Sequence, residues 1–242
     1  MKTTIIIPHW NQADLLGRCL ELLEQRTPHF CASVLVIDNG STDHTPEVLR
    51  RHPLVRSRRL DSNRGFAVAC NIGASMAETP YICFLNNDTE AKLGWLHPLE
   101  ATLDAEPDVA AVGPKLLYPN GKIQSGGVRI YRNAKGSVTT AAEMFRGEPG
   151  DHPAANTRRD SAITGACLLV RRSVFWDVAG FDERFRNGLE DVDLNLKLHQ
   201  AGHRTVYEPA SAVIHHCGAS GRERHRYHRQ NKQLLREKWR AA

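Results

Sequence analysis

The chain has no run of eighteen apolar residues, so no segment reads as a helix that crosses a bilayer. The N-terminal MKTTIIIPHW has an apolar stretch of only three isoleucines, stopped by Pro8. That is too short for a signal peptide and predicts a strand at the start of a cytoplasmic protein. No Cys-x-x-Cys occurs. The six cysteines, Cys19, Cys31, Cys70, Cys83, Cys167 and Cys217, lie mostly in apolar runs. They predict buried reduced thiols rather than a disulfide framework or a zinc site. No G-x-G-x-x-G follows a strand, and no G-x-x-x-x-G-K-[ST] is present. This excludes the usual dehydrogenase, P-loop and kinase phosphate grips. A nucleotide here needs carboxylate contacts to base or ribose, and a metal. Repeats and low-complexity linkers are absent as well.

What is present is globular. The 242 residues are 41% hydrophobic and 24% charged, enough for one sizeable core. The net charge is +5 and unevenly spread. Six arginines and one acid lie between Arg50 and Arg64, and eight Lys/Arg and two Glu between Arg222 and Arg240. A basic balance suits phosphates, nucleic acid or an anionic membrane face without choosing among them. The Arg clusters lack the interleaved aromatics of a nucleic-acid surface, apart from Tyr227 and Trp239, so no nucleic-acid partner is expected.

Periodicity predicts strands over residues 3–7, 34–37, 81–85 and 109–112, with a weak edge strand over 56–60. It predicts helices over 14–25, 66–77 and 95–103. Strand–helix alternation implies a mostly parallel sheet covered by helices. Beyond Pro114 the pattern changes. Pro119-Asn120-Gly121 signals a hairpin within 116–131, and 132–160 reads as a flexible loop that would serve as a lid. A strand over 166–170, a helix over 190–201 closed by Gly202, short strands over 205–207 and 212–214, and a basic helix or tail over 222–240 follow. Trp95 and Trp176 sit at apolar helix positions and read as core rather than as sugar platforms.

Three polar clusters begin where apolar strands end: Pro8-His9-Trp10-Asn11, Asp38-Asn39-Gly40-Ser41-Thr42-Asp43 and Asn86-Asn87-Asp88. Turns favour Asp and Asn for structural reasons alone. In a parallel sheet, however, strand C-termini share one edge, where ligands bind, so three such clusters should converge. Glu190-Asp191-Val192-Asp193 opens a helix, where acids are favoured by the dipole, and also offers a carboxylate for general-base work.

The ordered set IIIPHWNQADLLGRCLELL, VLVIDNGSTDHTPEVL, NRGFAVACNIGASMA, YICFLNNDTE, GLEDVDLNLKL and HHCGAS resembles family 2 glycosyltransferases of the rhamnosyltransferase-like branch over nearly the whole chain. The resemblance implies an α/β GT-A fold, with a Rossmann-like, mostly parallel central sheet flanked by helices and a smaller mixed acceptor-side region. Residues 1–113 would form the nucleotide-sugar half, 114–221 the acceptor and catalytic half, and 222–242 a basic helix or tail. It implies direct, inverting transfer from a UDP- or dTDP-sugar to a hydroxyl of a glycan or lipid-linked glycan. By resemblance, Pro8 and Asn11 line the nucleotide and Asp38 meets the base edge, a turn cap being the alternative. Asp43 divides evenly between the nucleotide and a helix cap. Asn63, Gly65 and Asn71 lie under the donor, and Asn87 and Asp88 stand at the diphosphate. Asp88 would hold Mn²⁺ or Mg²⁺ with help from His216 of His216-Cys217-Gly218-Ala219-Ser220, His215 being one residue away. Asn86 stands where the family often has an acid, which weakens the metal set. Asp191 would be the base, supported by Glu190, with Gly165, Ala166 and Asp193 toward the acceptor. A non-catalytic nucleotide-sugar or glycan binder is the alternative, and the intact Glu190-Asp191 pair speaks against it. The tail is read either as a contact with an anionic membrane face or as a helix with a solvated basic side.

Overall fold

The computed structural model describes residues 1–27, 32–217 and 223–241. Cys31, Gly218, Ala219, Ser220 and Arg222 lie outside the described residues. The order is β1 (Thr3–His9), α1 (Ala13–Arg26), β2 (Ala32–Asp38), α2 (Thr45–Arg51), β3 (Arg56–Arg59), α3 (Phe66–Ser75), β4 (Tyr81–Leu85), β5 (Thr89–Ala91), α4 (Leu96–Ala105) and β6 (Val109–Leu117). Then come β7 (Ile123–Ser125), β8 (Val128–Arg132), β9 (Val138–Glu143), β10 (Arg159–Asp160), β11 (Cys167–Arg171), α5 (Arg172–Asp177), α6 (Glu190–Gln200), β12 (Arg204–His215) and α7 (Glu223–Lys238).

The main sheet runs β10-β12-β6-β11-β4-β1-β2-β3. Strands β3, β2, β1 and β4 are parallel, as the alternation predicts. Strand β11 enters antiparallel between β4 and β6, so the whole sheet is mixed. The residue 113/114 border expected from the pattern change falls inside β6. On β1, Ile5 and Ile7 join one core with Leu16, Leu20 and Leu23 of α1, while Ile6 joins the opposite core with Ala67, Cys70 and Ala74 of α3. Alternate residues of a strand face opposite sides, so a run apolar at every position is what double coverage requires. Gly73 lets α3 approach the sheet, because a Cβ there would stand 2.4 Å from the Ile6 side chain.

Three expectations need correction, and two short helices are additional. Residues 132–160 are not a structureless lid. Strand β9 pairs with β8 as an antiparallel hairpin, and Pro153–Asn156 forms a 3₁₀ turn with Ala155 fully buried. The β8–β9 hairpin turn is closed by Asn133, whose Oδ1 accepts from the N–H groups of Lys135 and Ser137. The strand was hard to read because Thr139, Thr140, Ala141 and Ala142 give little alternation. The expected strands over 205–207 and 212–214 are one, β12, whose register against β6 shifts between Glu208 and Ala212. Helices α2 and α5 were too short to show a period. Trp176 on α5 is 39% exposed rather than core, whereas Trp95 is buried with its indole N–H donating to Thr27 Oγ1.

The C-terminal segment is a helix, and it is packed. Leu235 is buried with Val138, Phe185, Val192 and Leu196. Cys19, Cys70, Cys83 and Cys167 are buried free thiols, and burial pushes the Cys19 thiol up to about 12. Among the described residues, no helix is long and apolar enough to cross a membrane.

Candidate active site

The three polar clusters do meet at the C-terminal edge of β1, β2 and β4. A small cleft of about 90 Å³ is lined there by Pro8, His9, Trp10, Asn39, Asn63, Asn87 and Asp88. It adjoins a larger cleft of about 430 Å³, and Phe66, Asn86 and Asn187 line both. The larger one is walled by Gly165, Ala166, Glu190 and Asp191, by His215, and by His228 and Asn231 of α7.

The clusters are wired to one another. Asn87 Nδ2 donates to His9 Nδ1 (2.9 Å), His9 Nε2 meets Thr45 Oγ1 (2.8 Å), and Thr45 Oγ1 donates to Asp43 Oδ1 (2.5 Å). The chain fixes His9 as a neutral imidazole with its proton on Nε2. Asn39 is the second brace. Its Nδ2 donates to Asn63 Oδ1 and the Gly65 carbonyl, and its Oδ1 accepts from Arg64 N. Gly65 is needed for its backbone, since its φ is +92° with open space where a Cβ would be.

Burial pushes the His9 imidazole down to about 4, against the pull of Asp38 and Asp43. The folded value is below the ordinary ~6.5, so the unfolded chain binds more protons between the two. Stability from neutral His9 is full above pH ~6.5 and is lost as the pH falls toward 4; it amounts to about 3 kcal/mol. In His9→Gln, urea unfolding between pH 7 and 4 should show a distinctly shallower loss of stability than the native chain. Equal slopes would contradict this assignment.

Asp88 is 4% exposed. Its Oδ1 lies 3.0 Å from Nε2 of His215, not of His216. Burial opposes charge on His215, but the hydrogen bond to Asp88 and then Cys217 outweigh it and raise the imidazole to about 9. Nδ1 of His215 is satisfied by Gln124 Oε1 at 2.9 Å. His216 instead points to Glu90 Oε1 (3.0 Å) and only its backbone N–H reaches the Asp88 carbonyl. The side chain that meets Asp88 is thus one residue before the expected His216: on a strand, successive side chains face opposite sides.

Asp191 is half-buried at the start of α6. Its Oδ2 accepts from Gly165 N and its Oδ1 from Val192 N, both at 2.8 Å. A carboxylate has about four lone-pair positions, so acceptor capacity remains. Glu190 is 6% exposed and its Oε2 accepts from Gly188 N (2.6 Å). Ala166 closes the floor, with its carbonyl accepting from Asn86 N. Gly165 passes so near that a Cβ there would stand 3.4 Å from Asp191 Cβ.

Other expected residues do different work. Asp193 is fully buried, accepts from Trp239 Nε1 (2.8 Å) and pairs with Lys238, so it anchors α7 and does not face an acceptor. Asn71 lines neither cleft; its Nδ2 donates to the Phe181 carbonyl and its Oδ1 accepts from Phe181 N. Asp38 is 2% exposed, with one oxygen accepting from Ser41 N and the other from Arg59, which is the turn-cap alternative. Asn11 braces the second cluster through Thr42 N. Asp43 accepts from Ala13 N and Thr45 N, capping the starts of α1 and α2. Desolvation raises its carboxyl, but the Thr45 hydroxyl and these two backbone bonds outweigh it and hold the group below the usual range.

Four contributors escaped the sequence reading as individuals. His9 and Asn39 stood inside clusters already marked. Gln124 lies on a three-residue strand with no pattern. Asn231 was hidden in a segment whose charge reads as solvent-facing.

The sequence profile described as Glycosyl transferase family 2 matches residues 4–179. The O-antigen biosynthesis protein RfbC of Myxococcus xanthus is 33% identical over 237 residues, covering 91% of this chain and 18% of RfbC. An N-acetylglucosaminyl-diphospho-decaprenol L-rhamnosyltransferase of Mycobacterium tuberculosis is 34% identical over 220 residues, covering 79% of this chain and 69% of that protein. The chain thus spans a minor part of one relative and about two thirds of the other. Among solved structures, GalNAc-T7 with UDP, GalNAc and Mn²⁺ superposes with a TM-score of 0.73 at 20% identity, covering 89% of this chain and 44% of that one. The mannosyltransferase PcManGT of Pyrobaculum calidifontis, in complex with GDP-Man and Mn²⁺, gives 0.65 at 20% identity, covering 96% and 63%. With a profile match over most of its length and a GT-A-like fold, the chain belongs to glycosyl transferase family 2.

Proposed function

We propose that the protein transfers a hexosyl or deoxyhexosyl group from a UDP- or dTDP-sugar to a hydroxyl of a glycan or lipid-linked glycan, inverting the anomeric carbon. The observation that carries this reading is that Asp191 and His215, the partner of Asp88, line one cleft, which opens on the polar strand ends through Asn86. The donor nucleotide would lie along the smaller cleft and the acceptor in the larger. The names of the relatives, one for O-antigen biosynthesis and one acting on a lipid-diphosphate-linked sugar, agree with that acceptor class.

In this mechanism Asp191 takes the proton of the acceptor hydroxyl. The acceptor oxygen forms its bond to the anomeric carbon as the carbon–oxygen bond to the diphosphate breaks, and the diphosphate leaves with the electron pair. General-base help of this kind is worth about 10²–10⁴-fold. The N–H groups of Gly165 and Val192 orient the carboxylate.

The donor set fits a divalent cation. Gln124 engages Nδ1 of His215, the outer-sphere contact common to ligating histidines, and leaves Nε2 facing the Asp88 carboxylate, where a cation would take the place of the Nε2 proton. Asp88 and His215 would hold the ion. Among the described residues no group of three His, Cys, Asp or Glu gathers, so water and diphosphate oxygens would complete the coordination. The imidazole favours Mn²⁺ over Mg²⁺, which is held through oxygen. When bound, the cation neutralises charge developing on the leaving diphosphate.

A panel of UDP-, dTDP- and GDP-sugars with Mn²⁺, read by nucleoside-diphosphate release, tests the reading. Turnover of a UDP- or dTDP-sugar is expected, and no release from any donor with any glycan acceptor would sink it. The finer proposal is that exposed arginines of α7 and just beyond it, Arg226, Arg229 and Arg240, meet an anionic membrane face, each contributing roughly 1 kcal/mol at low salt. Arg229→Glu with Arg240→Glu should lower co-sedimentation with phosphatidylglycerol vesicles several-fold; unchanged binding would remove the proposal. Truncating α7 is no substitute, since Leu235 is part of the core.

A further inference from the structure

We propose that Asn231 of α7 is a positioning residue for Asp191; this rests on the assignment of Asp191 as the base. The loop before α6 has three consecutive residues at positive φ: Asn187 (50°), Gly188 (138°) and Leu189 (70°). Two of them are not glycine, and an L side chain rarely adopts this conformation without outside support. Leu189 is the N-cap of α6, so the path of this loop sets where Glu190 and Asp191 begin.

Asn231 supplies that support from across the fold. Its Nδ2 donates to the carbonyls of Arg186 and Gly188, both at 2.7 Å, and its Oδ1 accepts from Arg186 N at 3.3 Å. The residue is 1% exposed, so water does not replace these bonds if the amide is lost. Glu190 Oε2 holds Gly188 N from the other side. Four residues before Asp193 lies the N-cap; two residues after Asp191, Asp193 itself is held by Lys238 and Trp239. Helix α7 thus grips α6 immediately before and immediately after Asp191. Asn231 and His228 also form part of the cleft wall, which makes the basic C-terminal helix part of the site and not an appendage.

The test compares Asn231→Ala and Asn231→Asp with Asp191→Asn in the full chain. Leu103→Ala, at a buried α4 position that lines neither cleft, serves as a control for general destabilisation. Asn231→Ala should lower kcat at least about tenfold, as small misplacements of a catalytic group do. Nucleoside-diphosphate affinity should stay unchanged, and amide exchange over 187–190 should accelerate. Asn231→Asp keeps the size and the acceptor but lacks both donors, and should fare no better. Leu103→Ala should lose thermal stability with kcat kept well below its melting temperature. If Asp191→Asn retains kcat, the base assignment fails. If Asp191→Asn loses turnover while Asn231→Ala or Asn231→Asp keeps both kcat and slow exchange over 187–190, the positioning role alone is overturned.

Discussion

Asp191→Asn is expected to lower kcat by at least ~10²–10⁴-fold with nucleotide affinity unchanged. Asparagine keeps the size and one acceptor oxygen but cannot take a proton at neutral pH. The side chain lines the larger of the paired clefts, away from the strand ends expected to hold the nucleotide, so the loss should fall on turnover and not on donor binding. A purely structural role predicts another pattern. Asp191 receives backbone N–H groups from Gly165 and Val192, and asparagine could satisfy only one of them well. A capping loss of this kind costs about 1 kcal/mol of stability and would leave kcat nearly intact. Urea unfolding and kcat measured on the same variant separate the two. Asp193→Asn tests the neighbouring acid: its buried carboxylate anchors Lys238 and Trp239, so its first effect should be on stability.

Removal of the divalent cation is expected to abolish turnover, and Mn²⁺ should restore it. Leaving-group stabilisation by a dication is worth several kcal/mol, on the order of a thousandfold or more. Asp88→Ala should reproduce the loss even with excess Mn²⁺, and His215→Ala should approach it, because these two side chains converge. His216→Ala should stay close to normal, since its ring engages Glu90. Asp43→Ala should cost stability through the starts of α1 and α2 rather than transfer. Manganese titration followed by turnover reads all of these. Full activity of the native enzyme in excess EDTA would reject the cation and leave basic side chains to hold the diphosphate.

The sequence made the parallel half of the fold legible because burial on both faces leaves unbroken apolar runs, as in Ile5-Ile6-Ile7 and in β4. The polar clusters were legible for a related reason: a doubly covered strand turns polar only where it leaves the core. The half of the chain after Pro114 was harder to read. Strand β9 is built from small and polar residues, and β11 runs antiparallel inside a sheet whose first strands are parallel, which no local pattern announces. The individual roles were the least legible. Asp193 and Asp191 stand two apart in one acidic run, yet one is sealed beneath α7 and the other faces the cleft. His215 and His216 differ only by the alternation of a strand. Such distinctions depend on what packs across from each residue, as with Asn231 and its loop.

Direct displacement assisted by Asp191 carries one stereochemical consequence, and the anomeric configuration of the product tests it most directly. The configuration can be read by NMR from the one-bond C1–H1 coupling of the transferred sugar, against that of the donor, for whichever nucleotide-sugar the panel shows to be turned over. A single displacement from the face opposite the diphosphate predicts an inverted product. A product that keeps the donor's configuration would contradict the account, because it requires a different course at the anomeric carbon from the one in which Asp191 serves only as the base.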